Sequence, residues 1–129
     1  MQTPPGAFHW NELMTRDVAG AKAFYAKVCG WTFQDMEVDG MAYTIAMAGE
    51  QAVGGIFGVS GPEFDGIPDH WASYVAVPDV DAAVRAAEAG GGKVAKAPFE
   101  VTDVGRIAIV VDPAGAAIGL ITPAPMPPS

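Results

Sequence analysis

The sequence predicts an α+β protein built from two tandem β-α-β-β-β modules, and three observations carry that reading. Two helical runs are each opened by an aspartate, Asp17 and Asp79, which lie about half the chain apart. Each run follows one apolar strand and precedes a series of short strands. The chain then closes on a hairpin, Arg106 to Asp112 and Ala116 to Thr122, whose turn chemistry is explicit: Asp112 bonds backbone two residues on, Pro113 presets φ, and Gly115 accepts a positive φ.

Residues 1 to 5 read as a loose lead-in, and the first strand runs from Phe8 to Met14. Alternation puts Phe8, Trp10 and Glu12 on one face and His9, Asn11 and Leu13 on the other. The first helix runs from Val18 to Cys29 between the cap Asp17 and the stop Gly30. Val18, Ala21, Phe24, Tyr25 and Val28 recur at helical spacing, so they should lie as one apolar stripe on a sheet. Cys29, at the apolar end of that helix, reads as a small core residue. Strands follow at Trp31 to Glu37, Met41 to Met47 and Gln51 to Val59, with Asp39-Gly40 as a hairpin turn. Ser60 to Asp69 is a Gly- and Pro-rich loop whose Phe64 and Ile67 are exposed unless a lid or an interface covers them. The grammar then repeats: a strand from His70 to Val77, a helix from Val80 to Ala89, and strands at Lys93 to Ala97, Arg106 to Asp112 and Ala116 to Thr122. A Pro-rich tail covers 123 to 129. We expect one domain over 1–129, with module one at about 6–60 and module two at about 70–123.

Composition excludes several classes. No apolar run approaches the roughly 20 residues a membrane helix needs, and no charged-then-apolar leader opens the chain, so a cytoplasmic protein is the expectation. The single cysteine cannot form an internal disulfide. A net charge of −8 without a basic cluster repels a phosphate backbone, which argues against nucleic acid as a partner. Gly54-Gly55 and Gly90-Gly91-Gly92 lack the strand-to-helix context of a phosphate loop, and no Ser, His and Asp set has a hydrolase signature.

Trp10-Asn-Glu-Leu, Asp17, Phe24-Tyr25, Gly30-Trp31, Trp71-Ala-Ser-Tyr-Val, Gly105-Arg106 and Asp112-Pro113-Ala-Gly115 together resemble the vicinal oxygen chelate superfamily, the glyoxalase, bleomycin-resistance and extradiol-dioxygenase group. The resemblance covers nearly the whole chain and rests on structural landmarks, which say more about fold than about reaction. It implies that the two modules curl into a cupped mixed sheet with helices outside and a small-molecule cavity inside. It also implies that metal-using relatives place a ligand on the first and last strand of each module. Aligned through Asp17, Val77 and Asp112-Pro113, those positions fall on Trp10, Gly55, Ser73 and Gly119. A divalent ion needs nitrogen and carboxylate oxygen donors at about 2.0 to 2.2 Å, which this set does not supply, so no metal and no cofactor is expected. The competing metal set, His9, Glu12 and His70, is opposed by strand parity.

What remains at those positions suits an organic, aromatic ligand. Trp10 and Trp71 offer flat apolar area, Tyr43 a ring with a hydroxyl, Ser73 a hydroxyl, and Gly55 and Gly119 open room where metal ligands would stand. Glu12 is the carboxylate expected to face inward, as an acid or base, or structurally against a backbone amide or Arg106; the structural role carries more weight, because ion-pair networks also perturb carboxylates. Arg106 can hold an anionic group or pair with Glu12 or Asp103. Three functions follow: a metal-independent binder of a small organic molecule, a metal-free lyase, isomerase or oxygenase using Glu12, and, more distantly, a metal-dependent glyoxalase-like lyase. The resemblance further implies a homodimer, with which Phe64 and Ile67 agree.

Overall fold

The computed structural model describes residues 3–124. The elements are β1 (Phe8–Thr15), α1 (Val18–Cys29), β2 (Thr32–Val38), β3 (Met41–Ala48), β4 (Gln51–Gly58), a 3₁₀ turn (Pro62–Phe64), β5 (His70–Ala76), α2 (Val80–Ala89), β6 (Lys93–Val101), β7 (Gly105–Val111) and β8 (Ala117–Pro123). This is the β-α-β-β-β grammar used twice. The backbone forms two compact units, one spanning Trp10–Ala72 and the other joining the N-terminal residues up to His9 to the chain from Ser73 onward.

In the Trp10–Ala72 unit the strands lie in the order β2-β3-β4-β1. β1 runs parallel to β4 with Glu12 level with Gly55, and β4 runs antiparallel to β3 with Gly55 level with Ile45. The β2–β3 turn is built as the sequence requires, with positive φ at both Asp39 and Gly40. Asp17 caps α1 by accepting the Gly20 N–H at 2.8 Å, and Gly30 ends the helix in the left-handed conformation. The apolar stripe is only partly used, contrary to expectation. Val18, Ala21 and Tyr25 are half-buried, whereas Phe24 is 57% and Val28 62% exposed. Residues 18, 21 and 25 follow one line of the helix at i, i+3 and i+7; Phe24 turns off it, and Val28 stays near it but falls in the exposed last turn. Cys29 is exposed as well, because the last turn from Ala26 to Cys29 is exposed throughout.

In the other unit the order is β5-β8-β7-β6, with β5 parallel to β8 and Tyr74 level with Gly119. Val80 and Val84 of α2 pack on Ala108 and Val110, flanked by Ile118 and Leu120, and form the core of this module. The β7–β8 turn follows the sequence: Asp112 Oδ1 accepts the N–H groups of Ala114 and Ala116 at 2.9 and 3.0 Å, and Gly115 has φ 104°. β6 is longer than expected, reaching Val101 across Pro98. The β6–β7 register slips between Val94 and Lys96 and again between Lys96 and Phe99, and the bulges let a strand tolerate a proline. Pro123, expected to open a tail, belongs to β8, and the rest of that expected tail from 125 to 129 lies outside the described residues, as do positions 1 and 2 of the lead-in. The loop after β4 contains the 3₁₀ turn. Phe64 there is half-buried rather than exposed, its carbonyl accepting from Arg16 Nη2 at 2.6 Å, while Ile67 is exposed.

Candidate functional site

Trp10 and Glu12, two apart on β1, share the face that carries Gly55 on the neighbouring β4. Tyr43 starts from β3, one strand further away, and its ring crosses β4 at Gly55 to reach them. A Cβ at Gly55 would stand 1.7 Å from the Tyr43 hydroxyl, so only glycine permits the crossing. The result is a hydrogen-bonded chain: Trp10 Nε1 donates to the Tyr43 hydroxyl at 2.9 Å, and that hydroxyl donates to Glu12 Oε2 at 2.7 Å. Phe57 flanks the Tyr43 ring at 6.4 Å between centroids. Three of the expected residues, Trp10, Glu12 and Tyr43, thus form one constellation. Gly55 belongs with them, but as the seat of Tyr43 and not as open room.

Module two repeats the device with a different residue. A Cβ at Gly119 would come within 2.3 Å of the Tyr74 ring, and Tyr74 is 6% exposed. The room at Gly119 is therefore filled by Tyr74. Because Tyr74 is level with Gly119, alternation turns Ser73 to the other face, with Val75 and its neighbour Leu120. Tyr74 was missed by sequence reasoning, although a tyrosine level with a strand-interior glycine is a readable signal once the register is known.

Trp71 is placed away from Trp10, in an aromatic cluster against α1. Its indole N–H donates to the Tyr25 hydroxyl at 3.1 Å, Tyr25 stacks on Trp31 at 5.5 Å, and Trp31 meets Trp71 edge-on at 5.9 Å. Arg106 also departs from expectation. It pairs with Asp81 through Nε at 2.7 Å and Nη2 at 3.0 Å, and reaches Glu100 at 3.3 Å, instead of Glu12 or Asp103. The pairing holds the Asp81 carboxyl below its usual range and raises the guanidinium further. Arg106 lines a cleft of about 540 Å³ with Asp79, Thr102, Asp103 and Thr122.

Each imidazole is engaged by a residue close to it in sequence. His9 Nδ1 bonds the Thr3 hydroxyl at 2.6 Å, and His70 Nδ1 bonds the Pro68 carbonyl at 2.9 Å. Among the described residues no three His, Cys, Asp or Glu side chains are grouped to hold a metal ion. Within each module the positions where the family implies metal ligands carry side chains that do not fit a divalent ion: indole and glycine in one, a serine turned to the other face and glycine in the other.

The model of the Glyoxalase/Bleomycin resistance protein/Dioxygenase superfamily matches residues 7–120. The chain belongs to that superfamily. Among its relatives is "Putative glyoxylase CFP32" of Mycobacterium tuberculosis, 41% identical over 121 residues that cover 93% of this chain and 45% of CFP32. Another is "Anthracycline biosynthesis protein DnrV" of Streptomyces peucetius, 35% identical over 128 residues, covering 90% of this chain and 46% of DnrV. The chain thus spans about half the length of the curated relatives it matches. Methylmalonyl-CoA epimerase from Mycobacterium tuberculosis shares the superfamily fold, with a TM-score of 0.65 over 97% of this chain and 94% of that one, at 18% identity. No helix among the described residues is long and apolar enough to cross a membrane.

Proposed function

We propose that this superfamily member binds a flat, oxygen-bearing aromatic molecule without a divalent metal, using Trp10, Tyr43 and Glu12 as the recognition group. The observation that carries the reading is the chain Trp10 to Tyr43 to Glu12. It orients a phenol between an indole donor and a carboxylate acceptor on the face of the module-one sheet where the family implies a metal ligand, and Gly55 is present to seat it. An indole and a phenol supply flat contact area, and with the Tyr43 proton donated to Glu12 the phenol oxygen and the carboxylate present acceptors to a ligand hydroxyl. The relation to DnrV agrees with this ligand class, since anthracyclines are built on flat aromatic rings.

In this reading residues 1–129 act as one cytoplasmic ligand-binding domain, with modules at about 6–60 and 70–123, that pairs as a homodimer and has no nucleic-acid partner. The test is calorimetric titration of chelator-treated protein with alizarin. Wild type should bind saturably, and Trp10→Ala and Tyr43→Phe should each weaken binding by about tenfold, or about 1.4 kcal/mol. Undiminished affinity in both variants removes the proposed site.

A second reading is favoured by one distance. The 2.7 Å contact between the Tyr43 hydroxyl and Glu12 Oε2 is short enough for Tyr43 to relay a proton, passing its own to the carboxylate as it takes one from a bound enol or phenol. Under that reading Glu12 is an acid–base group of a metal-free lyase, isomerase or oxygenase. Glu12→Gln would then retain binding while abolishing turnover, and activity surviving in Glu12→Gln would defeat it.

A further inference from the structure

On the α1 side of the Trp10–Ala72 unit lies a cleft of about 320 Å³, within the range of small-ligand sites and separate from the Trp10–Tyr43–Glu12 face. Its walls are aromatic: Phe24 and Tyr25 from α1, and Trp71 from β5. The box is held before any ligand arrives. Trp71 is tied to Tyr25 by its indole N–H, and Trp31 backs Tyr25 by stacking, yet Trp71 stays 40% and Phe24 57% exposed.

The polar lining selects a sign of charge. Asp17 and Asp69 bring two carboxylates and no lysine or arginine lines the cleft; Arg16 engages Asp69 without being part of the lining. His70 adds an acceptor. The Pro68 carbonyl can only accept, so His70 Nδ1 donates to it, and in the neutral ring Nε2 carries the lone pair. Aromatic faces, carboxylates and an imidazole lone pair all favour a cation bearing N–H groups and disfavour an anion.

We propose that this cleft is a binding site for an organic ammonium ion carrying an aromatic or similarly flat apolar group. The ammonium sits toward Asp69 and His70 and the apolar body against Phe24, Tyr25 and Trp71. The site is independent of the metal-free aromatic site proposed above.

The test is an NMR titration of the full chain with phenethylammonium, following the indole N–H signals, with Trp71 assigned from Trp71→Phe. Saturable movement of the Trp71 signal is expected, with at least fivefold weaker binding in Phe24→Ala, whose exposed ring leaves the core intact, and in His70→Phe. Phenylpropanoate, the same shape with a negative head, should not bind. Tyr43→Phe should leave the phenethylammonium affinity unchanged, so failure of the alizarin site and failure of this one are read separately. Equal binding of phenylpropanoate, a Trp71 signal unmoved by phenethylammonium, or movement on dilution of the protein alone, which would mean that a second copy covers the cleft, each overturns the proposal.

Discussion

Gly55 and Tyr43 decide the chemistry of the module-one face, because a tyrosine two strands from Glu12 reaches it only over a residue without a Cβ. Gly55→Ala should expel the Tyr43 ring, break both hydrogen bonds and cost about 1 to 3 kcal/mol, read as a lower urea midpoint. Gly119→Ala should cost a similar amount by displacing the buried Tyr74 ring. A midpoint unchanged in both would mean that the rings relax freely and that the glycines are not seats. Trp10 and Glu12 were legible as sharing a face, since that follows from local alternation, whereas Gly55 and Gly119, read as open room, are places of close approach to a ring. The occupant of the close approach was not legible, because it comes from another strand and depends on register. Ser73 was expected on the Gly119 face, where Tyr74 stands instead, because a one-residue difference in register exchanges the faces of a strand.

At the level of elements, caps and turns were readable residue by residue. Asp17 and Asp79 accept from Gly20 and Ala82, and Asp17→Ala should destabilise the chain by about 1 kcal/mol. The packing of α1 was less readable, since helical spacing names a stripe without saying how wide the partner sheet is. Several elements are tied by exposed carboxylates whose state depends on pH. Asp35 is bonded by Lys22 of α1 and Thr44 of β3, Asp69 by Thr15 and Arg16 at the end of β1, and Asp81 of α2 by Arg106 of β7. These bonds lower all three carboxyl pKa values relative to the unfolded chain. The folded state therefore binds fewer protons, so the stabilisation is present above the ordinary aspartate value of about 3.9 and is lost as pH falls through the lower folded values. The urea midpoint should fall between neutral pH and a pH near 3, and Asp69→Asn should show a smaller fall than wild type. Equal falls would show that Asp69 contributes nothing to the acid sensitivity.

For the whole molecule, the α+β class and the doubled β-α-β-β-β order were legible because the capped helices and turn signals recur in both halves of the chain. Membership of the superfamily agrees with that order. Function was less legible, since the landmarks shared with the family are structural and the positions that would carry a metal hold indole, hydroxyl and glycine. The central claim is that recognition on the Trp10 face needs no divalent ion. Native mass spectrometry of protein purified with neither metal nor chelator, then mixed with alizarin, tests it in one spectrum. The predicted result is a metal-free mass that gains one alizarin per chain. One divalent ion per chain surviving desalting and required for the alizarin adduct would contradict it.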